Sequence, residues 1–166
     1  GWTKLLARFS GKTPPVINAG HFGGDNSKDE HHPNNWPRRF AEIAKEPPGA
    51  NFYSDLGYWS ALQECDSNSD CDIAIQRLTE ALKANPDMVN RIMFGTDWFM
   101  LSKEPDWISY PKHLAANLAK LLPPDKLFYQ NAIKCFGLGT GGAQRERVLT
   151  PLQGIRGGIP AWLQNA

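Results

Sequence analysis

Apolar positions along this chain recur in two rhythms, short continuous runs and spaced stripes, and the two alternate. The runs are Val16–Gly20 (Val-Ile-Asn-Ala-Gly, led in by Pro14-Pro15), Ala50–Tyr58, and Ile92 to Phe94. Each is short and flanked by Gly or Pro, as expected of a strand buried on both faces. Each run is followed by a stripe of helical period. Asn34 or Asn35 caps the first helix, with Pro37 in its first turn and Phe40, Ile43 and Ala44 on its apolar face. Asp72 opens the second, which carries Ile75, Leu78, Ala81 and Leu82 and stops at Asn85-Pro86. Pro111 starts the third, with Leu114, Leu118, Leu121 and Leu122 on one face and a stop at Pro123-Pro124. A last helix, about Asp125 to Phe136, faces Leu127, Phe128, Ile133 and Phe136 inward and ends at Gly137. Strand–helix units in series predict an α/β fold with parallel strands joined by right-handed crossovers.

Two polar residues stand where such a fold places chemistry. In Arg91–Trp98 (Arg-Ile-Met-Phe-Gly-Thr-Asp-Trp) the apolar run ends at Gly95-Thr96, and Asp97 follows. His21 repeats that placement after the Val16 run, and Phe22-Gly23-Gly24-Asp25 comes next. The carboxyl ends of parallel strands form the active face of barrels and open α/β sheets. Neutral imidazole and carboxylate are ordinary ligands of a catalytic divalent ion. Gly23 and Gly24 remove side-chain bulk where a ligand or another backbone approaches. The plainer alternatives are that Asp97 caps the next segment and that His21 is a turn residue.

With these residues in place, the sequence resembles the carboxyl-terminal part of the amidohydrolase-related metal-dependent hydrolases, the group that includes the aminocarboxymuconate-semialdehyde decarboxylase-like enzymes. The matching pieces are Val16–Gly24 (a strand-six His motif), Ala50–Leu56 (strand seven), Arg91–Trp98 (a strand-eight Asp motif) and Gln130–Leu138 (a closing helix). The resemblance implies a partial (β/α)₈ barrel over residues 1–138, built from its last three strand–helix units. It implies that Asp97 binds a divalent ion, zinc by preference, and relays a proton from its water. It implies that His21 lies beside that water and is catalytic. The family's remaining ligands, a His-x-His or Glu-x-His on strand one and a His on strand five, have no counterpart here. His31 and His32 are adjacent in a polar stretch, and His113 falls inside the third helix.

Length agrees with a partial barrel, since a complete one takes about 250 residues and this chain has 166. The chain opens at Gly1 with Trp2 to Phe9 patterned as the end of a helix, so the expectation is a carboxyl-terminal portion of a longer polypeptide. Residues 139–166, rich in Gly, read as an extended tail whose Ile159, Trp162 and Leu163 dock on the body. A net charge of +1 argues against electrostatically driven nucleic-acid binding. No run approaches a membrane span and no secretory signal is visible, which points to a cytoplasmic protein.

Cys65 and Cys71 flank a polar loop and are close enough in sequence to bridge. Three cysteines without a secretory signal nevertheless favour reduced thiols. Asp66-Ser67-Asn68-Ser69-Asp70 has the alternating oxygens of a calcium loop. Cys71 stands where that loop needs Gly, however, and Arg77 where it needs Glu.

Two functions follow from different classes. One is a metal-dependent hydrolase or decarboxylase acting on a small molecule. Its partner would be the absent amino-terminal half of the barrel or a second copy. The other is a non-catalytic α/β interaction domain, a degenerate barrel that keeps the scaffold without the site.

Overall fold

Helix α1 (Trp2–Ala7) leads into strand β1 (Ile17–Ala19), helix α2 (Trp36–Lys45) and strand β2 (Phe52–Asp55). Helix α3 (Ser69–Ala84) and strand β3 (Ile92–Met93) follow. The computed structural model describes residues 1–24, 35–63, 65 and 69–166. His31, His32 and the Asp66–Asn68 part of the calcium-loop candidate lie outside the described residues. The strands form one parallel sheet in the order β1-β2-β3, with Ile17 beside Phe52 and Ser54 beside Ile92. The chain is therefore an α/β fold, and each strand lies inside one of the apolar runs.

The helices bury the faces that their spacing dictates. In α2 these are Pro37, Phe40, Ala41 and Ala44, while Asn35 caps the helix by accepting from the Arg38 amide at 3.1 Å. In α3 Cys71, Ala74, Leu78 and Ala81 are fully buried at intervals of three and four. One face of the sheet rests on aromatic rings. Phe52 lies 5.1 Å from Phe40 and 5.6 Å from Trp2, and Phe22 stacks on Phe40 at 6.4 Å. Burying one such ring stabilises the fold by about 1.5–3 kcal/mol.

Beyond β3 come α4 (Trp98–Leu101) and α5 (Tyr110–Leu118), then a π-helical turn over Lys126–Gln130 that continues into α6 (Asn131–Cys135). This last stretch keeps Leu127 in the core and Phe128 against it, but departs from the expected inward face farther along. Leu127, Asn131 and Cys135 are its buried residues, while Phe136 is 51% exposed. The reason is the edge of β3. Asn131 Nδ2 donates to the Ile92 carbonyl at 2.8 Å and to the Val89 carbonyl at 3.0 Å. The Phe94 amide donates to Leu127 O at 2.7 Å. The chain's own residues thus satisfy an edge that would otherwise be open. Phe52 and Ile92 are likewise covered rather than exposed. β1 is the other edge of the sheet, and Val16 beside it is exposed.

Residues 139–166 are not an extended tail. They form α7 (Arg145–Gln153) and α8 (Ala161–Gln164), and Leu149 and Leu163 are buried. Arg145 Nη1 donates to Leu138 O at 2.8 Å and Arg145 Nη2 to Gln164 O at 3.0 Å, closing this segment on itself. Among the described residues no helix is long and apolar enough to cross a membrane.

The thiol expectation also fails. Cys65 and Cys71 form a disulfide, their Cα atoms 5.1 Å apart, within the span that a disulfide bridges. The buried first turn of α3 presents Cys71 to Cys65. Reduction of this bond is expected to lower stability by about 2 kcal/mol, as for a short closed loop. Urea unfolding with and without reductant measures it, and coincident midpoints would show that the bridge contributes nothing.

Arg91 joins the base of the sheet to α2. Its Nη1 donates to the carbonyls of Ala44 (2.9 Å) and Gly49 (3.1 Å), and its Nε and Nη2 bind Asp87. The Asn90 amide, and then Arg91, hold the Asp87 carboxyl below its ordinary value. A carboxyl with a depressed folded value stabilises the fold above its unfolded pKa, and that contribution is lost as pH falls through the folded value. Asp87→Asn should therefore destabilise the protein at neutral pH, and the gap to wild type should close in acid. Urea midpoints measured across that range test the sign.

Candidate functional site

All three strands end on the same side, and residues at or just beyond those ends, among them Gly20, His21, Asp55, Gly57 and Asp97, line one cavity of about 310 Å³. At the end of β1 the chain turns sharply. His21 (φ 58°, ψ 14°) and Phe22 (φ 48°, ψ 33°) both adopt the left-handed region, which is costly for residues with a Cβ. Phe22 is fully buried in the aromatic core, and this anchors the turn while the His21 ring faces the cavity. The two following glycines differ. A Cβ on Gly23 (φ +81°) would lie 2.3 Å from Trp36 Cβ, so close approach of α2 excludes a side chain there, whereas Gly24 meets open space.

At the end of β3, Asp97 (φ 43°, ψ 58°) occupies the position before α4, yet its side chain makes no capping hydrogen bond. Its backbone carbonyl accepts from Met100 and Leu101 instead. The left-handed backbone turns the carboxylate towards the cavity, where Asp97 Oδ2 lies 3.7 Å from His21 Nε2. Thus the structure brings together the two residues singled out from sequence. Left-handed non-glycine residues concentrate where function requires a fixed geometry, and among the described residues His21, Phe22, Tyr58, Asp97 and Asp106 are the ones with positive φ.

Sequence reasoning missed Asp55, the last residue of β2. Its carboxylate accepts from Asn18 Nδ2 (2.7 Å), the His21 amide (3.1 Å) and the Gly57 amide (2.9 Å). Three donors from two strand ends fix its orientation and hold the His21 turn. A weaker signal was present: Asp55 is the one carboxylate inside the Ala50–Tyr58 run, and Asn18 is the polar residue inside another. Gly57 and Gly95 make the space. A Cβ on Gly57 would sit 3.0 Å from Asp55 Oδ1 and 3.6 Å from Asp97 Cβ, and one on Gly95 would sit 2.9 Å from Asp55 Oδ1.

The ring of His21 is oriented from behind. Its Nδ1 lies 2.8 Å from the Gly57 carbonyl, which can only accept, so Nδ1 carries the proton. In the neutral ring Nε2 then keeps its lone pair on the cavity side, beside Asp97. That is the state needed to accept a proton or to bind a metal. The opposite wall is apolar, with Met93, Phe94, Ala132 and Phe136.

His113 is not part of this site; it lies on α5 with Nε2 3.7 Å from Asp106 Oδ2. Cys135 is a buried free thiol on α6. Burial, and secondarily the charge of Asp55, push that thiol up to about 11. It is protonated at neutral pH.

Gly95→Ala should displace the Asp55 carboxylate and loosen the His21 turn, at a cost of about 1–3 kcal/mol for overpacking a tight contact. Urea unfolding gives the cost, and amide hydrogen exchange at His21 reads the loosening. Unchanged protection of that amide would show that Asp55 does not hold it.

Comparison of the chain with protein-family models, with curated proteins and with solved structures finds no match.

Proposed function

We propose that this chain is the carboxyl-terminal part of a metal-dependent hydrolase or decarboxylase built on a (β/α)₈ barrel, with the cavity at the strand ends as half of its active site. One observation carries the reading: His21 Nε2 and Asp97 Oδ2 converge to 3.7 Å from two strands separated by a third. At that separation an ion held by Asp97 would have its water beside His21 Nε2, which is free to take a proton. A bound ion supplies Lewis acidity and a water of lowered pKa.

The chain's own residues divide the remaining work. Asp97 takes a donor position. His21 Nε2 accepts a proton from a water or substrate hydroxyl in the cavity, and returns it to a leaving group or a developing oxyanion. Asp55 holds the His21 turn through its amide. The apolar wall of Phe94 and Phe136 receives the body of a small-molecule substrate.

A catalytic zinc site uses three protein ligands and a water. Among the described residues no group of three His, Cys, Asp or Glu side chains is arranged to hold a metal. The remaining donors would come with the amino-terminal half of the barrel, or with a second copy, added along the open edge of β1. The same shortage favours the second reading, a non-catalytic α/β interaction domain that keeps the scaffold alone. On location, the cytoplasm expected from sequence stands against the Cys65–Cys71 bridge, since disulfides persist in oxidising compartments.

Calorimetric titration with zinc separates the two functions. The metal-site reading expects weak uptake by the 166-residue chain, abolished by Asp97→Ala. Identical isotherms for wild type and that variant would leave the interaction-domain reading.

A further inference from the structure

Tyr110 is fully buried on α5, far along the chain from His21, yet it touches the loop that orients that residue. Its hydroxyl donates to the Leu56 carbonyl at 2.7 Å and accepts from the Trp59 amide at 2.9 Å. One oxygen therefore staples both ends of the loop that follows β2. Between the staple points lie Gly57 and Tyr58, the latter left-handed at φ 52°. The loop in turn makes two contacts with His21. The Gly57 carbonyl meets the ring at Nδ1 (2.8 Å), and the fully buried Trp59 donates its indole Nε1–H to the His21 carbonyl (2.9 Å). Ring and backbone are thus held from one loop, and His21 itself sits in a backbone region that relaxes unless it is over-determined.

We propose that Tyr110 and Trp59 are positioning residues for His21: the stapled loop aims the Gly57 carbonyl at Nδ1, fixes the proton there, and leaves Nε2 bare towards Asp97. This deepens the reading of His21 as the proton-handling group and rests on it for its functional meaning. The geometry distinguishes this role from packing alone. Replacing Tyr110 by Phe keeps the ring that packs on Phe94 (centroids 6.1 Å apart) and removes only the oxygen. A residue that merely filled the core would change stability without changing which nitrogen of His21 bears the proton.

The test is long-range ¹H–¹⁵N NMR of the metal-free chain labelled in histidine nitrogen, recorded where the rings are neutral. It covers wild type, Tyr110→Phe, Trp59→Phe and, as a packing control, Leu114→Ala on the same helix. Wild-type His21 should be protonated at Nδ1, the less common tautomer of a free imidazole. In Tyr110→Phe and in Trp59→Phe the ratio should move towards the Nε2–H form by about fivefold, the equilibrium equivalent of one net hydrogen bond. Leu114→Ala should lose stability and keep the wild-type ratio. A wild-type ring protonated at Nε2 overturns the proposal whether or not the variants fold. So does a folded Tyr110→Phe chain with an unchanged ratio, or an equal shift in Leu114→Ala. No metal is added, so this result stands or falls independently of zinc uptake.

Discussion

The Asp55 carboxylate is the interaction on which the arrangement of the strand ends depends. It accepts from the Asn18 side chain, from the His21 amide and from the Gly57 amide, so the chain after β1 and the loop after β2 converge on one pair of oxygens. Charge-assisted bonds to a carboxylate are stronger than neutral ones, and here they hold a turn that is otherwise unfavourable. His21 and Phe22 in succession adopt left-handed backbone, each at a cost of order 1 kcal/mol or more. The burial of Phe22 and the bonds to Asp55 offset that cost. Where a side chain at Gly57 or Gly95 would crowd this carboxylate, there is none.

The support behind the site is spread across the fold. On one side the rings of Trp2, Phe22, Phe40 and Phe52 pack beneath β1 and β2. On the other, Tyr110 grips the loop after β2, and Phe94 packs between Tyr110 and Phe128. His21 and Asp97 are therefore carried by short loops but located by rigid elements. That division lets a site be built at strand ends without weakening the core. Asn131 plays the matching part at β3. A buried amide rather than a further strand closes that edge, and its Nδ2 serves two carbonyls at once.

The legible parts of this chain are those whose signal is local. Strands of two to four residues were found because each sits in an apolar run ended by Gly or by a polar residue. Helices α2 and α3 were found because their buried positions repeat at helical spacing. His21 and Asp97 were legible as candidates from their place just after such runs. Their alternatives were not separable at that level, because an Asp before a helix reads equally as a cap. What distinguishes them is the left-handed backbone of Asp97, which leaves the helix uncapped by its side chain and turns the carboxylate towards His21. Asp55 lies inside its run rather than just after it, and so carries a weaker local signal. Its importance comes from donors contributed by Asn18 and His21, more than thirty positions away. The carboxyl-terminal segment misled for a related reason: Gly139 to Gly142 suggests extension, but Leu149 and Leu163 find a surface to bury against and pull two helices out of it.

By itself the sequence determined the succession of elements, the parallel α/β character and the placement of two metal-competent side chains at strand ends. All of these follow from side-chain spacing and from the stereochemistry of Gly and Pro. Only the tertiary structure decided that His21 and Asp97 share one cavity and that His21 Nδ1 faces the Gly57 carbonyl. It also decided that Asp55 binds the His21 turn, that Tyr110 and Trp59 bind the loop beside it, that Cys65 and Cys71 are joined, and that β3 is closed while β1 is an edge. Each of these is a contact between residues remote in sequence or held by a turn. The energy of such a contact depends on which donors and acceptors meet in space, and no local pattern records that.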